Sequence, residues 1–247
     1  MRYGVLSDIH GNLEAFQTAL ARLKKEGAEQ YIFCGDLIGY GPDPEACVQL
    51  YRSLTEKNLA IGVVGNHDAI FSHPEMQAYF HPDALEALEW SRKELSKESL
   101  RLISFLPEII KEKDFTIVHG TPSDPIKEYF ASATQFKQYY SQWTGQILFV
   151  GHSHIPFCME GTQKQCQVHL MSSPGVISIH QGAHYVINPG SVGKPRDNDT
   201  RASFGLWDTE QNEFFFMREP YDAILTQKKM AAAGLPEFLV DSLSIGI

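Results

Sequence analysis

Five short apolar runs in the first part of the chain each end in residues that commonly bind metal ions. The polar residues at these run ends are Asp8 and His10, Asp36, Asn66 and His67, His119, and His152 and His154. An apolar run that stops at a polar turn is typical of a strand that opens into a loop. In open α/β sheets the carboxyl ends of the strands form the ligand crevice, so we expect these side chains to converge on one site.

The alternation of strand-like and helix-like segments predicts an α/β fold. Strands are predicted at residues 3–7, 31–34, 59–64, 115–118 and 146–150, and helical spacing of apolar residues lies between several of them. After Ile155 the pattern changes to short strands separated by turns, and helical patterning returns only near residues 224–230 and 238–243. Two sheets packed face to face with helices outside accommodate both parts. The length of 247 residues and the 43% hydrophobic content predict one domain over residues 1–247.

Charge and apolar patterning limit the partners and the compartment. The formal net charge of −9 disfavours a broad nucleic-acid-binding surface, although small anionic substrates remain compatible with a metal-containing cleft. No apolar run approaches the length of a membrane span, and the chain begins with a strand rather than a leader, so we predict a cytoplasmic protein. The four cysteines show no CxxC spacing and are expected to be reduced, including Cys158 and Cys166 on a predicted hairpin. The oligomeric state is not predicted.

The chemistry of the seven candidate ligands indicates transition metals. They offer carboxylate oxygens, imidazole nitrogens and one amide oxygen, with no thiolate. This set suits Mn, Fe, Zn, Ni or Co better than Mg or Ca, which prefer oxygen alone, or a structural zinc site, which usually includes Cys. Seven ligands are too many for one tetrahedral ion but suit two ions that share a carboxylate. Two such ions, roughly 3.5–4 Å apart, support hydrolysis of phosphoesters.

Several residues have two interpretations from the sequence alone. Asp8 is either a ligand or a turn or helix-capping residue, whereas His10 has no capping role. Asp68 either supports a neighbouring functional side chain or caps the segment that follows it. Tyr40 either lines a pocket or packs against its own loop. Arg196 either contacts a substrate phosphate or is an ordinary solvated arginine.

The ordered set of short motifs resembles the signature blocks of the calcineurin-like metallophosphoesterases. The matching blocks, in chain order, are Asp8-Ile9-His10, Gly35-Asp36, Gly65-Asn66-His67-Asp68, His119-Gly120 and Gly151-His152-Ser153-His154. A further segment, Asn188 to Gly193, resembles one in the compact bacterial and archaeal phosphodiesterase branch of that superfamily. Each block is weak alone, but the complete set in this order is specific and spans most of the chain.

The resemblance implies a four-layer α/β/β/α sandwich of two mixed sheets and a role for each motif residue. It implies that Asp8, His10 and His154 hold one metal, that Asn66, His119 and His152 hold a second, and that Asp36 bridges the two. His67 is then not a ligand; it stabilises the transition state and protonates the leaving alkoxide. By the same resemblance, we expect a metal-bridging hydroxide to attack phosphorus in line without a phosphoenzyme, and we expect Mn to support activity best. The expected substrate is a phosphodiester, a nucleotide or another small phosphorylated compound.

One position departs from the protein-phosphatase branch of this superfamily. That branch has an aspartate three residues after the bridging aspartate, where it orients the catalytic imidazole, and this chain has Gly39 there. A Ser/Thr protein phosphatase is therefore the weaker enzymatic alternative. A non-catalytic metal-binding interaction module is an alternative of another class, but such a module is expected to have lost ligands, and every motif position here is filled.

Overall fold

Two mixed six-stranded sheets form the centre of the molecule in the computed structural model, which describes residues 1–247. The strand order is β3-β2-β1-β11-β12-β9 in the first sheet and β4-β5-β6-β10-β7-β8 in the second. The strands are β1 Arg2–Leu6, β2 Gln30–Phe33, β3 Ala60–Gly62, β4 Ile109–Lys111, β5 Phe115–Val118, β6 Ile147–Phe149, β7 Phe157–Gly161, β8 Cys166–Leu170, β9 Gly175–Ser178, β10 His184–Asn188, β11 Ala202–Asp208 and β12 Glu213–Glu219.

Helices connect the strands and cover the outer faces of both sheets. They are α1 Leu13–Lys25, α2 Pro44–Thr55, α3 Asn66–Ala69, α4 Pro82–Glu94, α5 Lys97–Ser104, α6 Ala133–Tyr139, α7 Ala223–Ala232 and α8 Glu237–Ser242, with a 3₁₀ helix at Pro74–Tyr79. Helix α1 begins where the Asn12 side chain accepts the Ala15 N–H at 3.2 Å, and it ends before Gly27, which has a left-handed φ of +81°.

The hydrophobic core has three layers, which correspond to a four-layer sandwich. Between the sheets, Val5 and Ile32 of the first sheet pack with Phe149, Tyr185 and other residues of the second. A second cluster lies between the first sheet and helices α1 and α2, and a third lies between the second sheet and α6. The predicted α/β/β/α sandwich of two mixed sheets is therefore confirmed. Its outer layer over the second sheet is thin, because α6 is a short helix.

Parallel pairing brings the functional loops to one edge. Strands β1, β2 and β3 are parallel, as are β5, β6 and β10. Parallel neighbours need a crossover connection, and α1 and α2 supply it in the first sheet. The loops that follow β1, β2, β3, β5 and β6 carry the motif residues.

The sequence did not give the bounds of five elements: the 3₁₀ helix, α3, β4, α6 and β7. The 3₁₀ helix, α3, β4 and α6 are too short to show a clear hydrophobic period. Strand β7 was expected only as one arm of the hairpin that carries Cys158 and Cys166. All four cysteines are free, and Cys158 is paired in register with His169 rather than Cys166. No helix has the length and apolar character needed to cross a membrane. A single domain over residues 1–247 stays a prediction.

Candidate metal centre

Five of the predicted site residues adopt a backbone conformation that side-chain-bearing residues rarely adopt. The φ angles are +53° at Asp8, +50° at His10, +56° at Asp36, +69° at His152 and +60° at His154. Asp8 and His10 lie beyond the end of β1 at Leu6, so they do not continue the strand geometry. Left-handed residues direct these side chains inward instead. Such positions cost roughly 1 kcal/mol or more each and cluster at functional sites.

Four of these side chains meet in one fully buried group. Ligand atoms of Asp8, His10, Asp36 and His154 all lie within 4.8 Å of one another, so this group can hold a metal ion. The Nε2 atoms of His10 and His154 are 3.0 Å apart. Asp8 Oδ1 lies 3.3 Å from His154 Nε2, and Asp36 Oδ2 lies 3.5 Å from His10 Nε2. Asp8 is not a helix cap, since Asn12 caps α1.

Asp36 also contacts a second group of predicted ligands. Its Oδ2 atom lies 3.4 Å from His119 Nε2, and that nitrogen lies 2.9 Å from Asn66 Oδ1. The rings of His119 and His152 are neighbours, with centroids 4.8 Å apart. Asp36 thus lies against both groups, which is the position expected of a shared carboxylate.

Backbone carbonyls fix the tautomer of every candidate histidine ligand. A carbonyl oxygen can only accept, so the ring nitrogen that faces it carries a proton and the other nitrogen is the one left to bind a metal. The four donations are His10 Nδ1 to Ile38 O (3.1 Å), His119 Nδ1 to Cys34 O (2.8 Å), His154 Nδ1 to Lys194 O (2.6 Å) and His152 Nε2 to Lys127 O (3.0 Å). The ligand atoms are therefore Nε2 in three rings and Nδ1 in His152.

The unpaired atoms of the cluster fit a cation. Two lone-pair nitrogens 3.0 Å apart repel each other, and Asp8 Oδ2 and Asp36 Oδ2 are buried carboxylate oxygens without a hydrogen-bond partner. A divalent ion satisfies all of these atoms together. Nitrogen and oxygen donors without thiolate agree with the transition-metal set predicted from the sequence.

The titration behaviour of the cluster is consistent with metal ligands. Burial lowers the pKa of His152 to about 3 and the pKa values of His10 and His154 well below their usual range, so these rings keep their lone pairs at neutral pH. At His119, burial opposes the charged form, but the Asp36 carboxylate outweighs it and raises the pKa to about 9. A cation that binds beside Asp36 displaces the His119 proton, so binding releases protons.

Asp68 connects the two loops that carry Asp36 and Asn66. It is 1% exposed, and its carboxylate accepts the N–H groups of Gly65 and Leu37, each at 3.0 Å, and of Ile38 at 3.3 Å. The Gly65 bond belongs to the N-terminal capping box of α3, so Asp68 caps the helix in which it lies rather than a segment that follows it. The other two bonds fix the loop after β2, a role the sequence did not show.

His67 lies beside the cluster without belonging to it. The ring is buried, its centroid lies 4.6 Å from that of Tyr40, and Nδ1 has no hydrogen-bond partner. A Cβ atom on Gly39 would lie 2.7 Å from His67 Nδ1 and 2.6 Å from His10 Nδ1. An aspartate therefore cannot replace Gly39 on this backbone. Burial lowers the pKa of His67 to about 4, so the ring is neutral at pH 7 and offers one N–H.

The cluster opens into a cleft of about 230 Å³. Tyr40, Tyr129 and Arg196 line this cleft. Arg196 donates a hydrogen bond to the Tyr40 hydroxyl at 3.0 Å. Tyr40 also packs against the His10 ring, so it both lines the cleft and contacts a candidate ligand. The segment 79–84, which includes Tyr79 and Phe80, also lines the cleft. Neither Tyr129 nor this segment carries a motif, so sequence reasoning missed their part in the site.

The segment that resembles the phosphodiesterase branch supports the ligand loops from behind. Asn188 donates to Gly151 O at 2.7 Å, and Ser191 Oγ donates to Asp8 O at 2.8 Å. Lys194 provides the carbonyl that fixes His154. The structure thus brings together all eight predicted motif residues, places Arg196 at the cleft, and gives residues 188–194 a positioning role.

A larger cleft of about 510 Å³ lies on the outer face of the first sheet, away from these residues. Its arginines are already paired: Arg2 contacts Asp208 at 2.8 Å, and Arg22 contacts Glu26 at 2.9 Å. The volume of a cleft therefore does not identify the metal site, whereas the chemistry of the candidate ligands does.

Comparison with known proteins agrees with this geometry. Residues 1–212 match the family described as the calcineurin-like phosphoesterase superfamily domain. An uncharacterized protein of Methanocaldococcus jannaschii is 35% identical over 249 residues, which cover 98% of this chain and 97% of that protein. The chain belongs to the calcineurin-like phosphoesterase superfamily, as its motifs predicted.

Solved structures show the same fold. The crystal structure of a metallophosphoesterase from Sphaerobacter thermophilus has a TM-score of 0.87 and 32% identity, with 100% of this chain and 99% of that chain covered. A hypothetical protein from Pyrococcus horikoshii OT3 has a TM-score of 0.81 at 20% identity, with 100% and 98% covered. The chain is thus similar over its whole length to a metallophosphoesterase, and it is a metal-binding phosphoric ester hydrolase by family.

Proposed function

We propose that this protein is a dinuclear metal-dependent phosphoesterase that acts on a phosphodiester, a nucleotide or another small phosphorylated compound. The observation that carries the proposal is the set of four buried imidazoles, each with one nitrogen held by a backbone carbonyl. In His10, His119 and His154 the other nitrogen lies within 3.5 Å of Asp8 or Asp36. The site is preorganised for cations, and the family to which it belongs hydrolyses phosphoesters.

We assign the ligands in two groups that share Asp36. Asp8, His10 and His154 form the first group, and Asn66, His119 and His152 form the second. Divalent ions at these positions, with manganese the first to test, would activate water for attack on phosphorus and neutralise charge on the phosphoryl oxygens. No nucleophilic Ser or Cys lies among the ligands, so a covalent phosphoenzyme is not part of the proposal.

His67 and Arg196 contribute groups that touch the substrate. The neutral His67 ring donates its N–H to the leaving oxygen as negative charge develops there, which stabilises the transition state without a protonated imidazole. Arg196 lines the cleft and offers a planar cation to the phosphoryl oxygens. A small phosphorylated substrate suits the cleft volume, and a cytoplasmic location remains part of the proposal.

Metal-dependent turnover is the direct test of this function. The purified protein should hydrolyse bis-p-nitrophenyl phosphate or p-nitrophenyl phosphate when Mn²⁺ is supplied and lose that activity in chelator. The ratio of the two rates separates a diesterase from a monoesterase. Absence of metal-dependent turnover on either ester and on a panel of nucleotides would overturn the proposal.

His67→Ala should lower turnover about 100-fold while leaving the metal content unchanged, because it removes a transition-state donor and no ligand. His67→Gln restores a neutral N–H and should recover part of the rate. The deficit should be larger with phenyl than with p-nitrophenyl leaving groups, since the more basic oxygen needs more stabilisation.

The control for His67 is His73→Ala, which removes an exposed imidazole outside the cleft. It should leave rate and metal content unchanged. Metal loss in His67→Ala as large as that of an Asp36 variant, measured by mass spectrometry of the elements, would place His67 among the ligands instead.

The protein-phosphatase alternative predicts a different activity. Gly39 occupies the position of the orienting aspartate, and its backbone fills the space against His67. We therefore expect little turnover of phosphoserine or phosphothreonine peptides relative to small diesters. A peptide panel assayed beside bis-p-nitrophenyl phosphate checks this expectation.

A further inference from the structure

The rim of the cleft carries two large aromatic rings that the proposed chemistry does not use. Tyr129 is 47% exposed and Tyr79 is 74% exposed, and both line the cleft that opens onto the metal centre. They come from separate segments, one after β5 and one in the 3₁₀ helix. Exposed aromatic side chains at the mouth of a polar site commonly mark a surface that binds a ligand.

The Tyr129 ring lies parallel to the ring of His152, a proposed metal ligand. Its ring stacks on His152 with centroids 3.8 Å apart and an interplanar angle of 8°. His152 covers one face of the ring, and Tyr129 as a whole is still 47% exposed. The ring therefore lies one stacking distance from a proposed metal ligand and lines the same cleft.

Tyr79 forms the other side of this rim with a cation beside it. Lys127 Nζ lies 5.4 Å from the centroid of the Tyr79 ring, and the Lys127 carbonyl accepts the His152 N–H. Lys127 thus connects both tyrosines to the site. The rim therefore offers two phenol rings, their polar hydroxyl groups and one ammonium group. These groups suit a planar ring with nitrogen and oxygen atoms better than a hydrocarbon ring.

We propose that Tyr129 and Tyr79 form a stacking platform for a nucleobase, so that the substrate is a nucleoside phosphate or a nucleoside phosphodiester. This inference rests on the proposed phosphoesterase function and narrows its substrate class. Aromatic rings accept any base, because every base has a π face, so the platform selects for a base without selecting strongly among bases.

Binding of a pair of non-hydrolysable ligands tests the platform. The first is the phosphonate analogue of AMP with CH₂ in place of the bridging 5′ oxygen, and the second is the matching ribose phosphonate without the base. Calorimetry of the Mn²⁺-supplied protein should give a dissociation constant about tenfold lower for the ligand with the base. Tyr129→Leu should abolish this difference, Tyr129→Phe should keep it, and Tyr79→Leu should reduce it.

Phe105→Leu is the matched control, since it removes a 74% exposed aromatic ring outside the cleft and should change nothing. Equal binding of the two ligands by the unaltered protein would overturn the platform. Equal weakening of both ligands by Tyr129→Leu would also overturn it, because the ring would then only support His152. A phenyl phosphonate that binds as tightly as the AMP analogue would exclude the nucleobase assignment.

This experiment separates the two proposals. Neither ligand can be hydrolysed, so a result on the base is obtained even if the protein hydrolyses no ester. Conversely, turnover of bis-p-nitrophenyl phosphate together with no preference for the base would retain the phosphoesterase and reject the platform.

Discussion

Asp36→Asn should reduce phosphoester hydrolysis at least about 1,000-fold, equivalent to about 4 kcal/mol of transition-state stabilisation. Asp36 Oδ2 lies 3.5 Å from His10 Nε2 and 3.4 Å from His119 Nε2, so the substitution removes charge from both proposed metal positions. The asparagine can keep the Oδ1 atom, which accepts the backbone N–H of His67 at 2.9 Å, so the local fold should persist. Hydrolysis of bis-p-nitrophenyl phosphate and the bound metal per chain measure the effect.

The matched control is Asp114→Asn, which makes the same chemical change at an exposed position. Its rate and metal content should equal those of the unaltered protein. The bridging assignment would be contradicted if Asp36→Asn kept its full metal content and more than roughly a tenth of the original rate. A ligand shared by two ions cannot be lost without an effect on at least one of them.

Asp68→Ala should lower the free energy of unfolding by about 3 kcal/mol or more. The carboxylate accepts three backbone N–H groups, from Gly65, Leu37 and Ile38, and each buried donor left without an acceptor costs about 1–3 kcal/mol. Asp68→Asn should cost less, because its remaining oxygen can keep the bonds to Leu37 and Ile38. Urea unfolding in chelator, followed by circular dichroism, measures the difference without a contribution from metal binding.

Asp222→Ala provides the comparison for Asp68. Asp222 caps α7 through a single, exposed bond to the Leu225 N–H at 2.9 Å, so its loss should cost about 1 kcal/mol. If Asp68→Ala were no more destabilising than Asp222→Ala, the three buried bonds would not be the connection between the two loops. Activity of Asp68→Ala should fall as well, since those loops position Asp36 and Asn66.

The sequence was sufficient to predict an α/β fold with two sheets and the convergence of the motif residues, because both follow from the hydrophobic period and the direction of the strands. Strands β1, β2, β5 and β6 each end just before a motif residue, and parallel pairing brings those ends together. The left-handed conformations of Asp8 and His10 were not predictable, because aspartate and histidine are common in ordinary turns. Tertiary contacts impose that geometry.

The residues that shape the cleft were less accessible to sequence reasoning. Tyr129, Tyr79 and the carbonyl of Lys127 act through their placement in space, and none belongs to a recognisable pattern. The role of Asp68 was similarly open, since its bonds to Leu37 and Ile38 cross between loops about 30 residues apart in the chain. A single sequence identifies ligand atoms more readily than the groups that hold them.

Positive φ angles at five site residues predict how the sequence changes in evolution once the metal is no longer needed. These residues are Asp8, His10, Asp36, His152 and His154. Glycine or asparagine adopts a positive φ at lower free energy, so selection for stability alone would replace these five residues. A descendant that no longer needs the metal should therefore accumulate Gly and Asn first at these positions. The order in which ligands disappear from related sequences would then distinguish a lineage that has lost its chemistry from one that has only changed its substrate.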